Sequence, residues 1–251
     1  HARTARRLNV TGPPGNVLVS CRFDSAQRPL ERKLAIGQRH AGDLELRRLA
    51  VDLPELQETD TMAIAKAKAV LASQLAGGPC VVEDVSLCFA ALGGMPGPYI
   101  KWFQDRLRAD GLYKILAAYE DKSATAVCTL AYCAAPHADP VLFTGECHGT
   151  IVPPRPGGGF GWDSIFVPDV DSDADSDKNN NSPRQTSPPP RPFSQMTMAE
   201  KNKLSHRGKA VRQWADWLGR NREVLWQRQE TRRAPMLGHK GMDFKSDYPE
   251  Q

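Results

Sequence analysis

The sequence has little with which to build a staple, an anchor or a nucleic-acid grip. Its six cysteines (Cys21, Cys80, Cys88, Cys128, Cys133 and Cys147) include no CxxC pair, and no histidine stands at zinc-finger spacing. That removes a short-spaced zinc site as a reading. Most of them lie in apolar, strand-like stretches, where a free thiol behaves as a small hydrophobe, so a reducing compartment is expected. No apolar run approaches the ~20 residues that cross a bilayer, so no membrane partner is expected. The net charge of +4 is too small to argue for nucleic acid, and part of the excess lies in Arg3, Arg6, Arg7 and Arg22, ahead of the first acid, Asp24. No internal repeat is present, which excludes solenoids and propellers.

What is there suits one α/β globule. The chain has 251 residues, 40% hydrophobic and 25% charged, enough to bury a core without metal or disulfide. NVLVSCRF (16–23) and LELRRLAV (44–51) read as strands, with a short helix at 30–40 between them. Thr61 to Leu75, rich in Ala, Leu and Lys and stopped by Gly77-Gly78, reads as a helix. PCVVED (79–84) follows as a short buried strand. Tyr99 to Ala109 and Leu112 to Tyr119 suggest two helices parted at Gly111. Strands are expected at 124–135, 140–152 and 160–168. TMAE, from Thr197 to Glu200, has the pattern of a capping box, and helix continues beyond it, with a break near Gly208. Strands and helices in one continuous order argue for a single domain over 16–230 with a mixed central sheet flanked by helices. Residues 1–15 read as a disordered or misannotated start, and 231–251 as a loose tail. The span 171–192, acidic and then Asn/Ser/Pro-rich, has too little apolar surface to offset its ordering entropy and reads as a disordered insertion. The Arg-rich start from His1 leaves two expectations open, a misread first exon or the remnant of a transit segment.

Charge gathers where the core is expected. Glu55 follows the second strand, and Glu83-Asp84 ends the third. Carboxylates at strand ends suit Mg²⁺, a hard cation that takes oxygen ligands and keeps several waters; each acid taken alone reads more readily as a solvated turn residue, because strand ends are commonly polar. Lys66 stands on the Thr61–Leu75 helix, either toward an anion or on its wet face. Lys101 is enclosed by Pro98-Tyr99-Ile100 and Trp102-Phe103, as an anion ligand or a snorkelling surface lysine. In KNKLSHRGKA, Lys201, His206 and Arg207 lie about a helix start, where backbone N–H groups attract anions. FGWD (Phe160, Gly161, Trp162, Asp163) offers aromatic faces for a base at ~1 to 3 kcal/mol each, or core aromatics.

In this order the segments VVEDVSLCFAALGGMPGPYIKWF, GLYKILAAYEDKSATAVCTLAYC, GTIVPPRPGGGFGWDSIF and MAEKNKLSHRGKA resemble the inosine triphosphate pyrophosphatases, which act on noncanonical purine nucleoside triphosphates. The resemblance runs from about Ala50 to Trp217, and IKWF and EDKSA resemble the eukaryotic members. It implies a homodimeric α/β enzyme with two lobes and a substrate cleft between them. The implied reaction is hydrolysis of ITP, dITP or XTP to the monophosphate and pyrophosphate, with Mg²⁺ as cofactor and Mn²⁺ as an alternative. By position, the resemblance makes Glu55 and Asp84 the metal ligands and Asp84 the catalytic carboxylate that orients or deprotonates the attacking water. Lys66, Lys101 and Lys201 match the family's nucleotide-binding lysines; Phe160 to Asp163 and His206-Arg207 match its base-binding segments. A cytoplasmic location is expected, with organelle targeting by the N-terminal segment as the alternative.

Two features depart from the family pattern. The family's Thr-Gly-Asn-x-x-Lys-x-x-Glu phosphate loop aligns by spacing with Glu31 on its Glu and Arg28 on its Lys. Phe23-Asp24-Ser25 then replaces Thr-Gly-Asn, and Asp24 would repel phosphate. Val85 stands where the family has a threonine after the acid. A degenerate loop admits a second expectation, a catalytically weak nucleotide-binding protein of the same fold.

Overall fold

The computed structural model describes residues 17–23, 44–50, 53–54, 56–169 and 189–233. The element order is β1 (Val17–Phe23), β2 (Leu44–Ala50), α1 (Thr61–Ala76), β3 (Cys80–Phe89), β4 (Pro96–Gly97), α2 (Ile100–Ile115), β5 (Ser123–Cys133), β6 (Val141–Ile151), β7 (Phe166–Pro168), α3 (Met198–Leu204) and α4 (His206–Arg233). The helix expected at 30–40 and most of the 171–192 segment lie outside the described residues, as do 1–15 and the end of the tail.

The fold is α/β; the described residues form a seven-stranded sheet in the order β2-β1-β3-β5-β6-β7 with β4 added to β3. Every pairing among the described residues is antiparallel, where the alternation of strands and helices suggests a mixed sheet. β3 runs five residues past the end its sequence suggests. VSLCF continues the strand because Val85 through Phe89 all find partners on β5, ending at Phe89 opposite Ala124.

Alternation along β3 divides the molecule into layers, since successive side chains of a strand take opposite faces. Cys80 and Val82 pack with Ala131, Cys133 and the Ala65, Ala69 and Ala72 stripe of α1. Val81 packs with Leu130, Tyr132, Phe143 and, from α4, Ala210 and Trp214. Farther along that second face, Leu87 and Phe89 join Ala124, Ala126, Ile100, Leu112 and the aromatic group Trp162, Phe166 and Phe193. One face thus carries two successive cores, with Val85 packed against both.

Several boundaries differ from the sequence pattern. α2 is interrupted at Arg108 (φ 58°, ψ −177°), three residues before Gly111, so Gly111 itself is helical. Only Phe166–Pro168 of the 160–168 stretch forms a strand; the residues before it fold as turns, with Gly161 at φ +64°. The break expected near Gly208 falls at Ser205, which separates α3 from α4. The capping box is formed, Thr197 accepting from the Glu200 amide while Glu200 accepts from the Thr197 amide. Helix continues through Arg233, into the stretch expected to be loose from 231.

Candidate functional site

Adjacent acids reach opposite sides of the sheet. Asp84 is on the α1 face. Its Oδ1 receives the Nζ of Lys68 at 2.9 Å, and both residues are buried. α1 is held in place above it by a 2.6 Å hydrogen bond between the hydroxyls of Thr61 and Ser86. Thr61, Ala65, Lys68 and Ala72 follow the i, i+4, i+7 spacing of one helix face, so Lys68 belongs to the buried stripe of α1.

Glu83 faces the other way, toward α4. It receives Arg207 through two bonds, from Nε at 2.6 Å and a terminal guanidinium nitrogen at 2.8 Å, and the Cys128 thiol donates to its Oε1 at 3.3 Å. A forked, charge-assisted pair of this kind fixes the guanidinium plane as well as its position. Burial by itself pulls the pKa of Arg207 down, but Glu83 outweighs it and the guanidinium ends above its ordinary range. Burial, reinforced by Glu83, pushes the Cys128 thiol well up.

A third acid–base pair lies beside α3. Asp163 accepts from the Phe160 amide at 2.7 Å and from Lys201 Nζ at 2.5 Å. The Lys201 ammonium also stands 5.3 Å from the Phe193 ring centre, a cation–π distance. His206 opens α4 and stacks on Trp162 (centroids 5.4 Å apart, 29° between planes), with Phe193 at 6.4 Å. Its Nδ1 is buried without a hydrogen-bond partner. Burial first, then Arg207 and Lys201, hold this imidazole well below its usual range, so the ring is neutral.

The pairing register shows how side chains on two faces can serve one opening. β1 pairs with β3 only at Cys80 and Val81, and β4 only at Leu87 and Cys88. Between them, from Val82 to Ser86, no strand among the described residues borders that edge of β3. Asp84 with Lys68 approaches the gap from the α1 face, Glu83 with Arg207 from the α4 face. Lys101, in the first turn of α2 just past β4, is partly exposed, and its ammonium is 5.3 Å from the Trp102 ring centre.

Some of the expected site residues lie apart from this group. Lys66 is 55% exposed and 3.9 Å from Asp139, on the outer side of α1. Trp162 is buried among Phe166, Phe193 and His206, so its ring serves the core and is no open platform; Phe160 keeps partial exposure. Gly161 holds a left-handed turn so close to α2 that a Cβ would stand 2.6 Å from Gln104 Oε1. Val85 joins the two cores. Glu55, Arg28 and Glu31 lie outside the described residues. Sequence reasoning missed Lys68, although the Ala65-Lys68-Ala69-Ala72 stripe marks it; it also missed that Glu83 is the partner of Arg207, which only the register reveals.

The donor chemistry can be tested against a hard divalent cation. Asp84 offers a carboxylate oxygen beside the gap, and Mg²⁺ commonly takes one or two carboxylates and fills its shell from water and substrate oxygens. No group of three or more His, Cys, Asp or Glu side chains suited to a metal occurs among the described residues. The residues fit a cation shared with an anionic ligand, not an all-protein cage.

A gap in a sheet edge, flanked by the buried Asp84 and the part-buried Glu83 and by Lys68, Lys101 and Arg207, defines an α/β protein built to handle a small polyanion. The chain belongs to the Ham1 family, whose model matches residues 31–217. It is 46% identical over 178 residues to the inosine triphosphate pyrophosphatase of Tuber melanosporum, covering 71% of this chain and 85% of that protein. It is also 46% identical over 169 residues to the protein of that name from Yarrowia lipolytica, covering 67% and 79%. Among solved structures, a HAM1 protein from Coxiella burnetii superposes with a TM-score of 0.55 at 28% identity, over 67% of this chain and 80% of that one. The Staphylococcus aureus Ham1 protein, at a TM-score of 0.52 and 23% identity, shares the fold.

Proposed function

We propose that this chain hydrolyses noncanonical purine nucleoside triphosphates (ITP, dITP and XTP) to the monophosphate and pyrophosphate. The observation that carries the reading is the β3 edge gap. It brings Asp84, on one face, and the Glu83–Arg207 pair, on the other, to a single opening in a chain of the Ham1 family.

Cleavage between the α and β phosphates needs a water held near the α phosphorus and positive charge around the departing pyrophosphate. Asp84 is the candidate to orient that water and accept its proton. Its place on a strand paired along ten residues with β5 gives the carboxylate a rigid mount. Lys101 and Lys201 are candidates for the phosphate oxygens. Mg²⁺, with Mn²⁺ as an alternative, would be held by Asp84 together with Glu55 and supply charge neutralisation for the leaving group. On the base side, Arg207, held by Glu83, is the candidate donor to a 6-oxo group. An amino group in that position would face a donor and leave a polar contact unmade, at a cost of ~1 to 3 kcal/mol. We also read the enzyme as a cytoplasmic homodimer, supported by the family likeness and by cysteines that pack as small hydrophobes; targeting to an organelle is the alternative location.

The test is release of pyrophosphate from ITP, XTP and ATP with Mg²⁺, with EDTA, and for Asp84→Asn. ITP and XTP should be cleaved in preference to ATP, chelation should abolish release, and the substitution should lower kcat by at least ~100-fold. No release from any of the three with Mg²⁺ present would overturn the proposal.

A further inference from the structure

Cys128 has no place in the function set out so far, yet it is built against the acid that holds Arg207. Its thiol donates to Glu83 Oε1 at 3.3 Å, the same oxygen that receives Arg207 Nε at 2.6 Å. Strand register puts it there. Cys128 lies opposite Val85 on β3, and Leu130 lies opposite Glu83. Cys128 and Glu83 are therefore diagonal neighbours on one face of the sheet, a separation that a long side chain bridges. On β6 the residue opposite Cys128 is Gly145, and the start of α4 occupies the space a side chain would take: a Cβ there would stand 2.1 Å from the His206 carbonyl oxygen. Sheet on one side and helix on the other leave Cys128 with no exposure.

That enclosure decides what the thiol can do. Burial first, and then Glu83, hold it well above its ordinary range, so it keeps its proton and donates. The thiols of Cys80, Cys133 and Cys147 donate to main-chain carbonyls; Cys128 donates to a charged side chain that itself orients another. Arg207 binds Glu83 through Nε and one terminal nitrogen, which leaves the other terminal nitrogen for a ligand. The plane of the Glu83 carboxylate sets where that nitrogen faces. We infer that Cys128 is a positioning residue, whose thiol fixes the Glu83 carboxylate and, through it, the guanidinium that meets the base. With Glu83 at 16% and Arg207 at 24% side-chain exposure, water has little room to stand in for the thiol. The inference rests on the pyrophosphatase reading for its effect on base choice; the hydrogen bond itself does not.

The experiment compares the full-length chain with Cys128→Ala, Cys128→Ser and Glu83→Gln, by the infrared S–H stretch and by steady-state hydrolysis of ITP and ATP with Mg²⁺. The band that disappears in both Cys128 variants belongs to this thiol. It should lie below the free-thiol position in the wild type and move up in Glu83→Gln, whose neutral amide accepts more weakly than a carboxylate. In Cys128→Ala the preference for ITP over ATP in kcat/KM should fall about fivefold, the worth of one modest hydrogen bond. The loss should come through a raised KM for ITP, with kcat within twofold. Cys128→Ser, which keeps a donor, should hold the preference within twofold of the wild type. A band at the free-thiol position, or one that Glu83→Gln leaves unmoved, overturns the inference, and so does an unchanged preference in Cys128→Ala. Equal losses in the alanine and serine variants show a packing role and overturn it as well. Should the alanine or the glutamine variant fail to fold, Cys128→Ser assigns the band and its position in the wild type decides. If the wild type hydrolyses neither nucleotide, the pyrophosphatase reading fails, and the S–H comparison alone decides whether Cys128 positions Glu83.

Discussion

At the scale of single residues, ordinary helix and strand periods decide which charges meet. Lys66 and Lys68 are indistinguishable by type, but two residues on a helix differ by about 200°, and only Lys68 shares the buried stripe. Glu83 and Asp84 are neighbours in sequence yet serve opposite faces, for the equivalent reason on a strand. His206 shows the energetic side of such placement. Its ring packs against both Trp162 and Phe193, and burial, with Arg207 and Lys201 opposing its protonation, keeps it neutral in the folded chain. The unfolded chain protonates it near its usual value of 6.5. The unfolded state therefore binds the extra proton, and the contribution of this histidine is intact above about pH 6.5 and declines as pH falls below it, by up to ~1.4 kcal/mol per unit. Urea midpoints between pH 7.5 and 5 should drop in the wild type and drop less steeply in His206→Gln. Equal slopes would show that the ring is not held neutral.

Among the elements, α4 depends on an absence in β6. Gly145 lies opposite Cys128, on the face that α4 covers, and a Cβ there would stand 2.1 Å from the His206 carbonyl oxygen and 2.6 Å from the Ala210 nitrogen. The helix start that carries His206 and Arg207 is seated directly on the strand backbone, which is how Arg207 comes within reach of Glu83. Gly145→Ala must lift that end of α4. Overpacking of this kind costs ~1 to 3 kcal/mol, and the displaced Arg207 should raise the KM for ITP more than it lowers kcat. Chemical denaturation with steady-state kinetics reads both, and an unchanged KM would separate the helix seat from the site. The sequence pattern located α1, β5, β6 and the Thr197 capping box because each is written in local residues. It misplaced the break in α2 because Arg108, not the more permissive Gly111, takes the left-handed φ, and the sequence pattern does not anticipate that choice.

For the whole molecule, the division of one sheet face into two cores and the interruption of strand pairing along β3 make a single architecture. β1 and β2 extend the sheet beside one end of β3, β4 and α2 cover the other, and the opening lies between them. The homodimer expected from family likeness is checked by sedimentation equilibrium, which should return twice the monomer mass at micromolar concentration; the monomer mass at every concentration would remove it. Five cysteines among the described residues are free. Burial, with Cys133 adding to it, pushes the Cys80 thiol up to about 12, which suits a packing role.

The sequence by itself determined the helices and most strands, the α/β class and the family, because alternation, capping and idiosyncratic motifs such as EDVSLCFAALGGMPGPYIKWF are local and survive without coordinates. Only the tertiary structure decided that the acids of that motif form separate ion pairs, that Lys68 and not Lys66 reaches Asp84, and that Trp162 belongs to the core. Those outcomes depend on strand register and on the separation between a helix and a sheet. Both are set by packing between residues far apart in the chain: Glu83 and Arg207, its partner, are 124 positions apart.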